Sequence, residues 1–586
     1  MDGLIRDRAG VAAFLESVRG APFLALDTET SGLDPHLEKL LLIQFGTAEK
    51  QALVDAQAVD ADTVRSIFQD HLVVMHNATF DLKMLSATYG DALHLEEAQI
   101  ADTQNAEKLL RNGRKTDHLL QGFALKVLAE RYAGMELDKS IRQGFFGIQS
   151  VTDLSPAELL YAARDVEATW KVFARQLEEL ERDGLLKVLA IEGAASVAFA
   201  DLELKGAPID KEAWKKQLEE AKSGSALARK ALDKEFWTVA DRDLFGGTTL
   251  NYESDEEILG ALKKLGLTLE STRREVLVAS GHPAALAVAE YREHQKIVST
   301  YGDAFLAFIH PKTGRLHPRF NAIGATTGRV SCSEPNLQNI PSGSAFRACF
   351  RAPAGRKLIT ADYQGAELRI LAEASGDPVF IDTFRRGGDL HAIVAERLFK
   401  KPVSKHENPE LRARAKAINF GLVYGMGAQG LANQLGVRLD EAERLLEAYF
   451  RAFPKIRDYL NESARQALKR GLAETMAGRR FWLTDLRRDG RDEGTLTRIA
   501  KNMPIQGTNA DITKLAMARM YQAFRRGGVD AYLVNTVHDE LVVEAAESVA
   551  EEAKAIVIRE MRSAGGEFVK RVPMDVDAQL GDTWTK

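Results

Sequence analysis

The stretch Val534 to Glu544, VNTVHDELVVE, sets two apolar runs of strand-like composition around His538, Asp539 and Glu540, with no glycine between them. A carboxylate taken out of water is costly unless something pairs with it. The pattern therefore asks for a partner, and one stands far upstream. In KLITADYQGAELRILA (Lys357 to Ala372), Asp362 follows the apolar pair Leu358-Ile359 and stands just ahead of a helical pattern. Asp362 and Asp539 are each expected at the edge of a strand. Two carboxylates brought together on one sheet are what a two-metal site needs. Phosphoryl transfer asks a protein for positioned metals, an aligned nucleophile and cations on the phosphates, and for little covalent chemistry.

Candidate cations lie between the two acids. LRARAKAINFGLVYGMG (Leu411 to Gly427) spaces Arg412, Lys416, Phe420 and Tyr424 by four, so a helix lines them on one face. Two positive charges followed by two rings suit a triphosphate and then a base. The ordinary alternative is a solvated basic turn above two core aromatics. Gly421, Gly425 and Gly427 weigh against it, because glycine weakens a plain core helix.

A second acidic set opens the chain. LALDTETSG (Leu24 to Gly32) puts Asp27 and Glu29 two apart after an apolar run, on one face of a strand. HNATFDLKML (His76 to Leu85) adds Asp81. YAARDVEATW (Tyr161 to Trp170) puts Tyr161 and Asp165 at i and i+4, stacked on one helix face. Four converging acids raise one another's pKa unless cations bind them. Hard oxygen ligands of this kind suit Mg2+ or Mn2+. Two such ions about 4 Å apart activate a water and steady the leaving oxygen of a phosphodiester. Singly, each acid is an ordinary strand end or surface charge; the ordered set carries the reading.

Composition sets the frame. The 586 residues suffice for several domains, and 45% hydrophobic with 28% charged describes a globular protein rather than a disordered one. Cys332 and Cys349 are the only cysteines, which excludes a disulfide framework and a cysteine-rich zinc site and suits a reducing compartment. The start, MDGLIRDRAG, has charges where a signal peptide needs an apolar core, and no run is long enough to span a bilayer. A net charge of -6 argues against a uniformly basic coat but leaves room for a basic cleft. Strand runs mixed with amphipathic helices give an α/β reading to about Lys187, and a mostly helical stretch follows from about Val188 to His310. Short strands, long helices from about Leu390 to Gly471 and closing strands then suggest an α+β unit with a helical insertion.

In their order, D-x-E, N-x-x-x-D (Asn77 to Asp81) and Y-x-x-x-D, with DTQNAEKLL (Asp102 to Leu110) between the last two, resemble the 3′–5′ exonuclease domain of proofreading DNA polymerases. Three further segments extend the likeness: ATTGRVSCSEPNLQNIP (Ala325 to Pro341), GDLHAIVAERLF (Gly388 to Phe399) and RIAKNMPIQGTNADITKLAM (Arg498 to Met517). Together with the R-x-x-x-K-x-x-x-F-x-x-x-Y-G helix, they make the chain resemble the DNA polymerase I family (family A), without the 5′ nuclease domain that some members carry in front. The resemblance implies an RNase H-like exonuclease domain (1–187), thumb and connecting helices (188–310) and a palm with inserted fingers (311–586, fingers about 373–493), the last two forming a right-hand polymerase. It implies a DNA-directed DNA polymerase that extends a primer 3′-hydroxyl with dNTPs and proofreads. Primer–template DNA and dNTPs would be its partners; it would be a cytoplasmic monomer with no membrane association.

The resemblance also assigns roles. Asp27, Glu29, Asp81 and Asp165 would hold two Mg2+, and Tyr161 would orient the attacking water. Asp362 and Asp539 would hold two more, with Mn2+ as a substitute and Glu540 as a supporting acid. Arg412, Lys416 and His391 would meet the triphosphate, Tyr363, Phe420 and Tyr424 would surround the nucleotide, and Glu367 would close the space beside the sugar's 2′ carbon. Arg329, Gln338, Arg498, Asn502 and Gln506 would touch DNA, Arg329 and Gln506 from the minor groove, and His538 would touch the primer strand. VNTVHDELVVE then becomes a palm hairpin with His538, Asp539 and Glu540 at its turn.

One motif departs from the family. The commoner D-Y-S-Q-I-E-L-R is here Asp362-Tyr363-Gln364-Gly365-Ala366-Glu367-Leu368-Arg369, which keeps the spacing of metal ligand and sugar gate. Phe420, where some members have tyrosine, implies poor use of dideoxynucleotides. The helical middle shows no long insertion of the sort that recruits a processivity partner, so low to moderate processivity is expected. Two other enzymes fit less well: a 3′–5′ exonuclease whose polymerase half only clamps DNA, and a single-subunit RNA polymerase. Asp362, Lys416 and Asp539 speak against the first, Glu367 and the exonuclease motifs against the second.

Overall fold

The apolar run at Leu24 becomes strand β1 (Leu24–Thr30) in the computed structural model, which describes residues 3–114, 122–242, 248–423, 425–488 and 490–585. Strands β2 (Leu40–Gly46), β3 (Gln51–Asp55), β4 (Leu72–Met75) and β5 (Gln99–Asp102) join it in the order β3-β2-β1-β4-β5. β1 runs antiparallel to β2 and parallel to β4. β2 is buried along its whole length, which explains its unbroken LLLIQF: both faces of the sheet are covered. The helix Pro156–Arg182 covers one of them, packing on β1 and β2. Its start is written in the sequence as a capping box, Ser155 with Glu158, followed by proline at the first helical position.

The chain then enters the next helix, Leu186–Lys205, which stays with the N-terminal sheet. A Cβ on Gly193 would collide with the Ile100 carbonyl of β5, so only glycine permits this approach. These residues belong to the larger of two structural units, Met1–Gly206 with Pro318–Gln338 and Pro353–Asp582. The smaller unit, Ala207–His317 with Asn339–Ala352 and Thr583–Lys586, is built on the helices Lys211–Glu235 and Pro283–Tyr301. At one end Trp214 stacks on Phe305 at 4.2 Å between ring centroids and donates its indole N–H to the Tyr301 carbonyl. Removing a buried ring of this size costs on the order of 3–5 kcal/mol.

A short ladder, β6 (Arg319–Asn321) with β7 (Ser331–Ser333), returns the chain to the larger unit. There β8 (Arg356–Tyr363) leads into the helix Ala366–Ser375. Between β8 and the closing strands come the helices Leu390–Phe399, Pro409–Val423, Leu439–Ala452 and Pro454–Arg470. The hairpin β9 (Leu472–Glu474) and β10 (Arg480–Trp482) follows, and then the 34-residue helix Glu493–Arg526. β11 (Ala531–Val537), β12 (Glu540–Ala546) and β13 (Val576–Gly581) complete an antiparallel sheet of order β11-β12-β8-β13. This is the α+β unit with a helical insertion that the pattern predicts. Among the described residues no helix is long and apolar enough to cross a membrane.

Candidate active sites

The first site grows from the period-two alternation of β1. Asp27 and Glu29 share one face, and Asp165 comes to them from the helix Pro156–Arg182. One ligand atom of each of the three lies within 4.8 Å of the others, the one such group of acids among the described residues. Asp81 is 2% exposed and accepts a hydrogen bond from Thr28 Oγ1 at 2.6 Å, so it stands beside the trio rather than inside it. Burial, then the charge of Asp165, push Asp27 up to about 7. Burial and Asp27 raise Glu29 and Asp81 in the same way. Clustered acids kept this short of solvation fit a hard divalent cation, which supplies the missing positive charge.

Three more residues serve this site: Lys139 and Gln44, which no motif marks, and Asp102, which opens the DTQNAEKLL segment but has no role assigned from the sequence. Lys139 Nζ donates to Asp165 Oδ2 at 2.6 Å and to the Tyr161 hydroxyl at 2.9 Å. Gln44, opposite Asp27 on β2, donates to its Oδ2 at 3.0 Å. Asp102 caps the helix Thr103–Arg111 and also accepts from the amides of Asn77 at 3.1 Å and Ala78 at 3.0 Å. Asn77 sits at φ 63°, so Asp102 holds the strained entry to the helix that bears Asp81.

The second site grows from the pairing of β12 with β8. Register sets Glu540 opposite Asp362, and Asp577 of β13 opposite Asp362 on its other side. The turn between β11 and β12 is only His538 and Asp539; Glu540 is the first residue of a strand, not part of the turn. His538 takes φ 59°, a conformation ordinarily left to Gly, Asn or Asp. Burial, then the charges of Asp362 and Glu367, push Asp539 up to about 7. The two acids are thus neighbours, and their short supply of solvation again fits a divalent cation. Tyr363 alternates to the other face: its side chain is 2% exposed and its hydroxyl donates to the Met561 carbonyl at 2.6 Å. A ring buried that way packs the sheet on the helix Ala550–Phe568 and does not face a nucleotide.

Around these acids the expected contact residues fall into two groups. Arg329 Nη2 lies 2.5 Å from Glu367 Oε1. Gln506, with its amide turned to satisfy both ends, accepts from Arg329 Nη1 at 2.9 Å and donates to Thr327 Oγ1 at 3.1 Å. Gln338 donates to the Thr536 carbonyl at 3.2 Å, next to the β11–β12 turn. Arg498 is exposed and Asn502 half-buried, respectively two turns and one turn before Gln506 on the long helix. The other group lies on Pro409–Val423. Arg412 is held by Asp389 at 2.6 Å, Lys416 is exposed, and Phe420 faces the His391 ring at 5.8 Å between centroids. His391 is fixed by Asn419 at 3.0 Å, itself bonded by the Tyr449 hydroxyl at 3.0 Å. Burial, then Arg412, push His391 down to about 4, so it stands neutral beside two cations rather than as a third. Tyr424 lies outside the described residues.

Comparison with known proteins shows the family. Residues 216–586 match the family model described as DNA polymerase family A, and residues 4–181 match the one described as 3′-5′ exonuclease. A DNA polymerase I from Pseudomonas aeruginosa is 32% identical over 99% of the chain and 65% of its own length. One from Chloroflexus aurantiacus is 32% identical over 99% of the chain and 63% of its own length, so the chain spans slightly under two thirds of these relatives. One from Aquifex aeolicus is 31% identical over 98% of both. Among solved structures, the POL domain of Pol1 from M. smegmatis, in complex with DNA primer–template and dNTP, aligns with 99% of both chains. Its TM-score is 0.82 at 27% identity.

Proposed function

The chain belongs to DNA polymerase family A and carries a 3′-5′ exonuclease domain ahead of the polymerase; from that premise we propose that it copies a DNA template by extending a primer with dNTPs and excises misplaced ends. The observation that carries the proposal is the pairing that brings Asp362, Glu540 and the Asp539 turn together beneath Glu367 and Arg329. Divalent cations, Mg2+ foremost, would be held by Asp362 and Asp539 at one site and by Asp27, Glu29 and Asp165, with Asp81 beside them, at the other, where they supply positive charge to the reacting phosphate and its nucleophile.

The chain's own residues do the rest. Arg412 and Lys416 meet the triphosphate, with Asp389 keeping the guanidinium aimed along the helix face. His391 gives a neutral hydrogen bond, held ready by Asn419. Phe420 packs on the nucleotide, and Glu367 blocks the 2′ position. Arg329 and Gln506 test the minor-groove acceptors that every Watson–Crick pair presents alike, which checks pair shape without reading sequence. In the exonuclease, Tyr161 orients the attacking water, and Lys139 keeps that phenol and Asp165 in register. We assign residues 1–187 to excision, 188–310 to thumb and connecting helices and 311–586 to palm and fingers. The buried free cysteines and the bacterial relatives support a reducing cytoplasm.

A labelled primer–template with Mg2+ tests the reading. Extension is expected with deoxynucleotides and not with ribonucleotides, and Glu367→Ala should admit ribonucleotides at least about tenfold better. Failure of the native protein to extend with any nucleotide would leave the exonuclease-with-clamp alternative standing instead.

A further inference from the structure

One cluster of buried charges serves neither proposed reaction. Glu192, on the helix Leu186–Lys205, meets Arg479 and Lys514, and these three side chains with Asp511 are at most 1% exposed. Arg479 reaches Glu192 through Nη2 and Asp511 Oδ1 through both Nε at 2.8 Å and Nη2 at 2.7 Å. Lys514 Nζ lies 2.5 Å from the same Glu192 oxygen. Two cations and two carboxylates balance. Such a cluster adds little stability over well-packed apolar side chains, yet breaking one partner out of it is strongly destabilising. What it supplies is a fixed position for the guanidinium.

The neighbours of that guanidinium show what is being placed. Gly328 stands at φ 82° with so little room that a Cβ would lie 2.6 Å from Arg479 Nε, and Gly328 directly precedes Arg329. Thr475, in the same β9–β10 turn as Arg479, donates to Asp511 Oδ2 at 2.7 Å. It also presses on Gly507, where a Cβ would meet its methyl at 2.5 Å and the Thr327 carbonyl at 3.1 Å. Gly507 directly follows Gln506. Both members of the Arg329–Gln506 pair therefore rest, one residue away, on the turn that Arg479 locks. A second tie runs from the exonuclease side: Asn112 donates to the Thr326 carbonyl at 2.7 Å and to the Arg480 carbonyl at 2.9 Å.

We propose that Arg479 is a positioning residue for Arg329 at the primer terminus, and that Glu192, on a helix packed against the exonuclease sheet, holds Arg479 in place. The polymerising half thus borrows part of its primer-reading geometry from the helix that packs on the exonuclease sheet. The inference rests on the primer-reading role proposed for Arg329, so its test must separate the two.

Single-turnover extension in an Asp27→Ala background, where excision does not intrude, compares a primer ending in guanine with one ending in 3-deazaguanine, which lacks the minor-groove N3 acceptor. The parent should extend the analogue at least about tenfold more slowly, and Arg329→Ala should erase that difference. Arg479→Lys should shrink it below about twofold, and Arg479→Lys added to Arg329→Ala should slow extension no further. The pair Glu192→Gln with Lys514→Met keeps the buried charge sum at zero and should shrink it as well. A folded Arg479→Lys protein that keeps the full difference overturns the proposal. Should Arg479→Lys not fold, the same result in the charge-balanced pair overturns it. A parent that extends both primers equally overturns the role of Arg329 and this proposal with it, and a parent that extends neither overturns the polymerase reading itself.

Discussion

Burial first, and then Asp362 and Glu367, push the Asp539 carboxyl up to about 7. A carboxyl raised in the folded state binds its proton more tightly there than when unfolded, so its contribution to stability falls as pH rises from about 4 to about 7. Above that window the ionised group destabilises the metal-free fold, by an amount on the order of 2 kcal/mol once coupling to its neighbours is allowed for. Asp539→Asn should therefore raise the melting temperature in EDTA by a few degrees near pH 8 and by little near pH 5, while abolishing extension. Thermal melts at the two pH values check it; an equal effect at both would contradict the account. Phe420 makes a second residue-scale prediction: Phe420→Tyr should improve dideoxynucleotide use at least about tenfold, read as the ratio of termination to extension. Residues that repeat with an element's period were legible, as Asp27 with Glu29 and Tyr161 with Asp165 were. Lys139, Gln44, Asn419 and Tyr449 were not, because a lone polar residue whose partner is distant in sequence has no period to betray it.

Two of the elements that carry the acids each owe their shape to one local feature. The helix bearing Asp81 begins at Asn77 in a left-handed conformation that Asp102 holds by accepting two of its first amides. Asp102 also caps its own helix through Gln104 at 2.7 Å. Losing these acceptor contacts together should cost about 2–4 kcal/mol. Asp102→Ala is therefore expected to cut excision more than about tenfold through displacement of Asp81, with extension within about twofold of the native rate. Parallel assays on matched and mismatched primers check this, and equal loss of both activities would contradict it. The hairpin at Val534 was legible as two strands, but its turn was drawn one residue too long. The apolar flanks show where strands run; only the pairing of Val537 with Glu540 shows where they end. The buried side of Tyr363 was likewise hidden, since a tyrosine after an aspartate suits either face of an edge.

At the scale of the whole molecule, two carboxylate sites stand on two different sheets, one with mixed strands and one antiparallel. The sequence carried both because the acids end apolar runs or repeat with the period of a strand or helix, a spacing that survives without knowledge of the fold. It did not carry the ties of Glu192 to Arg479 and of Asn112 to Thr326, because each joins residues hundreds of positions apart with no period or spacing to link them. The central claim is that the sites are chemically separate within one chain. Its most direct test measures extension and excision on one labelled primer–template with Mg2+ in two variants. The account predicts that Asp27→Ala loses excision by at least about a hundredfold and keeps extension, while Asp539→Ala loses extension as heavily and keeps excision. Extension that persists undiminished in Asp539→Ala would contradict it.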